Sequence, residues 1–172
     1  HAPGAASSDT NMGSSDRRKR DNKRAIEVYG NVEELLESED SPDLTEARIR
    51  LASAFLEMGE MDRARDHAMK AHDETAENNQ EKLHARSRAV LGRYYARIKD
   101  NDLAMHHYTG ALEILSDQSD PRSAVEVEIL LGQVLSDAGS TEEAAQHYLD
   151  ALSIAEANDF RMMQGEILSR LG

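Results

Sequence analysis

Three histidines recur at an interval of 40 residues: His67, His107 and His147. Imidazole ligates zinc and titrates near neutral pH, so such a series suggests either a row of metal sites or a response to acid. Neighbouring helices lie roughly 8–10 Å apart, whereas zinc needs its ligand atoms at about 2 Å. The sequence has no cysteine and no evident convergent carboxylate to complete such a site. We therefore interpret the series as inherited by repeat duplication, and expect no metal and no cofactor.

Arg86, Arg93 and Arg97 form a second candidate, because their spacing places them on one face of a helix. A guanidinium group presents a planar fork of donors to carboxylate or phosphate, so this face suits an acidic segment of a partner protein. The residues 40 positions away on either side are mostly acidic: Glu46, Ser53 and Glu57, then Glu126, Gln133 and Asp137. The alternative is that the arginines pair with those carboxylates inside the chain, and the sequence leaves both open.

Motifs for nucleophilic or phosphate chemistry are missing from the sequence. It contains no Gly-rich phosphate loop, no G-x-S-x-G nucleophile elbow and no H-E-x-x-H zinc motif. Aspartates and glutamates are abundant, but they occur at the spacing of exposed helix faces. We therefore expect a binding protein and not an enzyme.

The composition limits the partners. The formal net charge is -13 and the sequence pI is about 4.9, which argues against general nucleic-acid binding and against an anionic membrane surface. No apolar run approaches the roughly 20 residues of a membrane-spanning helix, so we expect no membrane insertion. We expect a cytoplasmic protein, or a nuclear one if the basic run Arg17-Arg18-Lys19-Arg20 is a localisation signal. A secreted or periplasmic location stays open, since a cleaved signal leaves no trace.

The elements that position these side chains repeat along the chain. Three segments align with one another without a gap: residues 46–71, 86–111 and 126–151. Similar residues recur at six positions of the aligned repeat: Leu51, Leu91, Leu131 and Leu171; Ala52, Gly92, Gly132 and Gly172; Phe55, Tyr95 and Leu135; Ala64, Ala104 and Ala144; Ala68, Tyr108 and Tyr148; Ala71, Ala111 and Ala151. Within each first helix a Leu and a bulky residue lie four apart and bury one face. The Gly or Ala beside that Leu lets a second helix approach closely.

Short turns separate the predicted helices. Gly59 and Gly139 suit the left-handed position that ends a helix, and Asn101 is the candidate for that position in the middle repeat. Ser41-Pro42 and Asp120-Pro121 each predict an N-cap followed by proline at the first helical position.

This pattern resembles the tetratricopeptide repeat family, whose signature is met at Leu131-Gly132, Leu135, Gly139, Ala144, Tyr148 and Ala151. The period of 40 exceeds the family's usual period of about 34 residues, and is similar to the long-repeat type of LGN, rapsyn and kinesin light chain. The family's large residue at the fourth position is replaced by Arg48, Arg88 and Glu128. The resemblance implies an all-α solenoid of antiparallel helix pairs, a right-handed superhelix whose first helices line a concave groove.

We predict the following organisation. Residues 1–15 form a disordered tail or a cloning remnant, and residues 16–172 form one helical repeat domain. The domain has a helix at 18–38, repeats at 42–80, 81–119 and 121–159, and a partial repeat at 161–172. The half repeats at both ends suggest a segment of a longer array, although terminal helices can also serve as caps.

The predicted function is a scaffold or adaptor that binds a peptide or helix of a partner protein in the groove. Alternatives are a peptide-sensing regulatory domain of a larger signalling or transcription protein, and a structural protein that self-associates through open repeat ends near Met162, Met163, Ile167 and Leu168. Besides the three arginines, the groove candidates are Ile49, Ser53, Leu56, Ala89, Ile129 and Gln133. The apolar members suit an amphipathic segment if they are exposed, and are ordinary core if they are buried.

Overall fold

The structure, a computed structural model, describes residues 5–39, 41–116 and 120–172, with side chains from residue 13 onward. All regular structure within these ranges is helical, which confirms the all-α class. The helices are α1 (Ala5–Leu36), α2 (Pro42–Met58), α3 (Met61–Glu77), α4 (Glu81–Arg97), α5 (Asn101–Leu115), α6 (Pro121–Asp137), α7 (Thr141–Ala157) and α8 (Arg161–Leu171).

The helices group into two compact units, His1–His67 and Ala68–Gly172, which we describe separately. The division falls inside α3, whereas the sequence predicted one domain over 16–172. In the first unit α1 packs against α2. In the second unit α4 packs on α5, α5 on α6, α6 on α7 and α7 on α8, and α4 also contacts α6.

The amino-terminal helix is longer than predicted. Helix α1 begins at Ala5, so residues 5–15, which the sequence analysis assigned to a disordered tail or a cloning remnant, are helical in the structure; residues 1–4 lie outside the described part. The side chains of residues 13–20 are exposed, so tertiary packing does not hold this stretch. Once a helix is nucleated, each added residue gains a backbone hydrogen bond without a new nucleation cost, and the packed part of α1 provides that nucleus.

Both predicted N-caps are confirmed. The Ser41 side chain accepts a hydrogen bond from the Leu44 amide at 3.3 Å, and the Asp120 side chain accepts one from the Ser123 amide at 3.1 Å. Asp100 caps α5 in the same way, which the sequence reading missed.

The left-handed turn positions follow the repeat. Gly59 and Gly139 have φ of 77° and 87°, as predicted. In the middle repeat the position belongs to Lys99, with φ of 66°, while Asn101 is the first residue of α5. A left-handed backbone conformation costs a residue with a side chain roughly 1–2 kcal/mol. Lys99 adopts it nonetheless, because the packing of α4 on α5 requires a turn at this position.

In the second unit the paired helices meet where a glycine faces a tyrosine. A Cβ placed on Gly92 would lie 2.5 Å from Cε1 of Tyr108, and one on Gly132 would lie 2.7 Å from Cε1 of Tyr148. Both rings are buried, at 1% and 5% exposure. The two contacts explain why each first helix carries glycine there: each ring fills the space that a side chain would need.

We predict that Gly92→Ala and Gly132→Ala each destabilise the protein by about 1–3 kcal/mol, because the added methyl overpacks against a buried ring that has little room to move. Gly165→Ala is the matched control, since a Cβ there meets nothing within 4 Å. That exchange should stabilise by about 0.5–1 kcal/mol through helix propensity. Urea unfolding measures all three; a gain in stability at Gly92 or Gly132 would contradict the contact.

Candidate functional site

Helix α4 is the basic element of the second unit. It carries Lys82, Arg86, Arg88, Arg93 and Arg97 against the single acidic residue Glu81. Arg86 and Arg93 are half-buried and Arg97 is exposed. Each of the three candidate arginines interacts with other groups of the chain.

Two of these arginines influence neighbouring ionisable groups. Burial acts to raise the pKa of Asp120, but hydrogen bonds from Ser123 and the charges of Arg86 and Lys82 outweigh it and lower that pKa. Burial raises the pKa of the Tyr108 phenol, and the charge of Arg93 opposes that rise. Neither Asp120 nor Tyr108 is one of the carboxylates named in the sequence analysis, so the choice between ligand binding and internal pairing of the arginines stays a prediction.

The neighbouring first helices add a polar network. Gln133 donates to Oδ1 of Asp137 at 2.9 Å and accepts a hydrogen bond from Arg170 of α8. Arg170 also forms an ion pair with Glu166 at 3.1 Å. Gln133, a predicted groove residue, thus lies where α6 and α8 are joined by hydrogen bonds; the sequence reading missed Arg170.

The apolar groove candidates are mostly core residues. Ile49, Leu56 and Ile129 are 2%, 1% and 5% exposed, so they offer no surface to a partner. Ser53 and Ala89 are half-buried. Close helix approach explains the burial: ten of the 17 residues of α2 are buried, which leaves only a narrow exposed stripe. Of the two alternatives in the sequence analysis, these three residues therefore fit the second: they belong to the hydrophobic core.

The apolar side chains of α8 differ in exposure. Ile167 is buried and Met163 is half-buried, whereas Met162 and Leu168 are 92% and 54% exposed. Self-association through this helix stays a prediction.

The fourth-position residues and the histidine series come together in space. In the first repeat Arg48 is buried and donates from Nε to Oε1 of Glu33 at 3.0 Å, while His67 Nε2 lies 3.0 Å from the other oxygen. Burial acts to raise the pKa of Glu33, but the hydrogen bonds and charges of Arg48 and His67 outweigh it and lower that pKa. The carboxylate of α1 thus joins a guanidinium of α2 and an imidazole of α3 within the first unit.

In the second repeat Arg88 reaches the carbonyl groups of α5. It donates to the carbonyl of His106 at 3.1 Å and to that of His107 at 3.4 Å. Its guanidinium fills the space beside Gly110, where any Cβ would collide with it. The arginine therefore replaces the family's large residue as a packing group.

His107 lies in a cluster of rings. Its ring stacks on Tyr95 with a centroid separation of 5.4 Å, and its buried Nδ1 has no hydrogen-bond partner among the described residues. The pKa of His107 is lowered to about 4, first by burial and then by the charges of Arg88, His72, His106 and His84. Burial, followed by the charges of His72 and Arg88, also lowers the pKa of His84.

In the third repeat the same two positions form an acid–imidazole pair. Nδ1 of His147 lies 2.7 Å from Oε2 of Glu128. Burial raises the pKa of Glu128; His147 opposes this and the charge of Asp150 adds to it. The expectation that no carboxylate converges on the histidine series is therefore wrong at His67 and His147. The sequence pattern that could have predicted the Glu128–His147 contact is the constant offset of 19 residues between the fourth position and the histidine in each repeat.

We predict that His107 makes the protein less stable in acid. Its folded-state pKa of about 4 lies below the ordinary value of 6.5, so the unfolded chain binds more protons between these two values. Stability should fall as pH decreases through that window, on the order of 1–2 kcal/mol once solvent screening of a half-buried ring is allowed for. His107→Phe keeps the stacking on Tyr95 and should lose less stability in acid.

Urea unfolding of wild type and variant between about pH 7 and about pH 4.5 checks this. His106→Phe, the exposed neighbour, serves as the control and should keep most of the wild-type pH dependence, because burial and Arg88 are the larger causes of the lowered His107 pKa. Equal losses in wild type and His107→Phe would assign the acid sensitivity to other groups.

Comparison with known proteins agrees with this architecture. The model of the tetratricopeptide repeat matches residues 129–158, the region of α6 and α7. No curated protein sequence matches the chain. None of the described helices is long and apolar enough to cross a bilayer.

Solved structures share the fold. BtubC (BKLC) from P. vanneervenii superposes with a TM-score of 0.70 at 23% identity, covering 80% of this chain and 58% of that one. A Podosopora anserina structure, described as a kinesin light chain with nearly identical TPR-like repeats, gives 0.66 at 14% identity over 99% and 95% of the two chains. Aspartyl phosphate phosphatase F from Bacillus subtilis gives 0.68 at 16% identity, over 91% and 40%.

The chain therefore spans somewhat more than half of the first of these structures and less than half of the last. Repeats of this type generally form protein-interaction scaffolds, and their stacked helices provide extended binding surfaces. The chain thus contains one matched tetratricopeptide repeat at 129–158, and it shares the fold of TPR-like helical repeat structures.

Proposed function

We propose that this chain is a protein-interaction module that binds an acidic peptide segment of a partner on the surface of α4, next to α6. The observation that carries the proposal is the concentration of positive charge on α4. Five of its 17 residues are Lys or Arg, in a chain with a formal net charge of -13. The net charge of the chain repels an acidic segment, whereas the local excess of positive charge on α4 attracts one.

The range of the electrostatic interaction supports a local site. Exposed charges are screened over about 8–10 Å at physiological ionic strength. A segment bound on α4 therefore interacts mainly with the arginines there and with the nearest acidic groups of the adjacent α6. Existing internal interactions of the arginines do not oppose this role, since a guanidinium has five N–H donors and can bind more than one acceptor.

The spacing of the arginines sets the expected length of the ligand. Arg86 and Arg97 are 11 residues apart, which corresponds to about 16 Å along a helix. An extended peptide covers that distance in about five residues. The best ligand should therefore carry acidic residues about five positions apart. Asp137 on the neighbouring α6 disfavours further acidic residues on that side.

We predict that Arg93→Glu/Arg97→Glu lowers the affinity for such peptides by about tenfold or more. Exposed ion pairs contribute about 0.2–1 kcal/mol each, so losing two of them and adding two repulsive glutamates accounts for a change of this size. The probe is a library of labelled random peptides of about 12 residues, with Glu, Gln or Lys pairs fixed about five positions apart. Fluorescence anisotropy with the full chain measures binding at about 50 and about 300 mM salt.

The matched control is Lys70→Glu/Arg161→Glu, which changes the net charge equally at exposed sites on α3 and α8. It should change the affinity less than about threefold, and the Glu-pair peptides should bind more weakly at the higher salt. If both double variants lowered the peptide affinity equally, the loss would reflect the net charge of the protein and not a site on α4. Equal binding of Gln-pair and Glu-pair peptides would contradict a carboxylate-binding site.

A further inference from the structure

Helices α6 and α7 bring together three groups that can ligate a metal ion. His147 Nδ1 lies 2.7 Å from Oε2 of Glu128, and Asp150 lies one turn after His147 on α7. One ligand atom from each of the three residues lies within 4.8 Å of the other two. All three residues belong to the second unit.

We propose that Glu128, His147 and Asp150 form a binding site for a divalent ion of the zinc type. Zinc binds imidazole nitrogen and carboxylate oxygen at about 2.0–2.2 Å. In a tetrahedron with such bonds the ligand atoms are about 3.3 Å apart, so side-chain shifts of about 1 Å bring the three groups into position. Asp150 is exposed and His147 is partly exposed, so water can fill the fourth position.

The charges of the cluster favour a divalent cation. Two carboxylates face one imidazole, so even a protonated His147 leaves the group with excess negative charge. The Glu128 side chain is only 14% exposed, and an incompletely balanced charge is costly at such a depth. A divalent ion held by a neutral imidazole balances both carboxylates.

A neighbouring amide already orients one of the ligands. Gln146 Nε2 donates to Oδ1 of Asp150 at 3.0 Å, which restrains the carboxylate and leaves its second oxygen available. Hydrogen bonds of this kind fix the orientation of metal ligands and typically contribute 10- to 100-fold to metal affinity.

The other repeats lack the full set. In the first repeat Glu33 and His67 also meet, but the cationic Arg48 lies 3.0 Å from that carboxylate and would repel a metal ion. The residue at the Asp150 position is Lys70 in the first repeat and Gly110 in the second. The proposal is therefore a single site in the third repeat, and not the row of sites that the histidine series first suggested.

Isothermal titration of the metal-stripped full chain with Zn²⁺ tests the site. We expect one equivalent to bind, with a loss of affinity of about 100-fold or more in Glu128→Gln, His147→Gln and Asp150→Asn. Gln146→Ala should lose about 10-fold because it only positions Asp150. Asp150 is exposed, so Asp150→Asn remains informative if either of the other two variants fails to fold.

Three variants serve as matched controls. Glu156→Gln changes an exposed carboxylate on the same helix, His67→Gln changes the same repeat position in the first unit, and His84→Gln breaks the His72–His84 ring pair. Their affinity for Zn²⁺ should stay within about twofold of wild type. Saturating Zn²⁺ should raise the thermal midpoint of wild type and controls, and not that of the three ligand variants.

Two results would overturn the proposal. Wild type could show no saturable Zn²⁺ binding. Alternatively, Asp150→Asn and His147→Gln could bind Zn²⁺ as tightly as wild type, which would leave Glu128 and His147 as an ion pair only and place the bound zinc elsewhere.

Discussion

The packing of a tyrosine ring onto a glycine is the contact on which the second unit depends. Gly92 meets Tyr108, and Gly132 meets Tyr148, with no room for a Cβ between them. This contact fixes both the separation and the rotation of the paired helices. The fourth-position residue lies one turn before each glycine, and the histidine lies immediately before each tyrosine. These two positions must therefore meet in both repeats, whatever their chemistry.

The two repeats place chemically different side chains at this contact between the fourth position and the histidine. Arg88 donates to the carbonyls of His106 and His107, and its charge helps to keep the His107 imidazole neutral. Glu128 forms a short acid–imidazole contact with His147. The same backbone geometry thus holds Arg88 beside partly buried histidines in one repeat and Glu128 beside His147 in the next. Helix packing constrains where a side chain lies, but not its charge.

Charge is also divided along the first helices. Basic side chains dominate α4, whereas α6 carries Glu126, Glu128 and Asp137 against a single Arg122. In the proposed function, this division lets the chain distinguish partners by their charge pattern, since wrong partners meet like charges.

The sequence by itself determined the local features: the all-α class, the helix pairs, the caps at Ser41 and Asp120, and the turns at Gly59 and Gly139. Each depends on contacts within a few residues, so spacing and residue type suffice. Only the tertiary structure decided that Ile49 and Ile129 are buried, that Lys99 takes the left-handed turn, and that Glu128 meets His147. Those outcomes depend on how far apart and at what rotation two helices pack, which residue spacing within one helix does not specify.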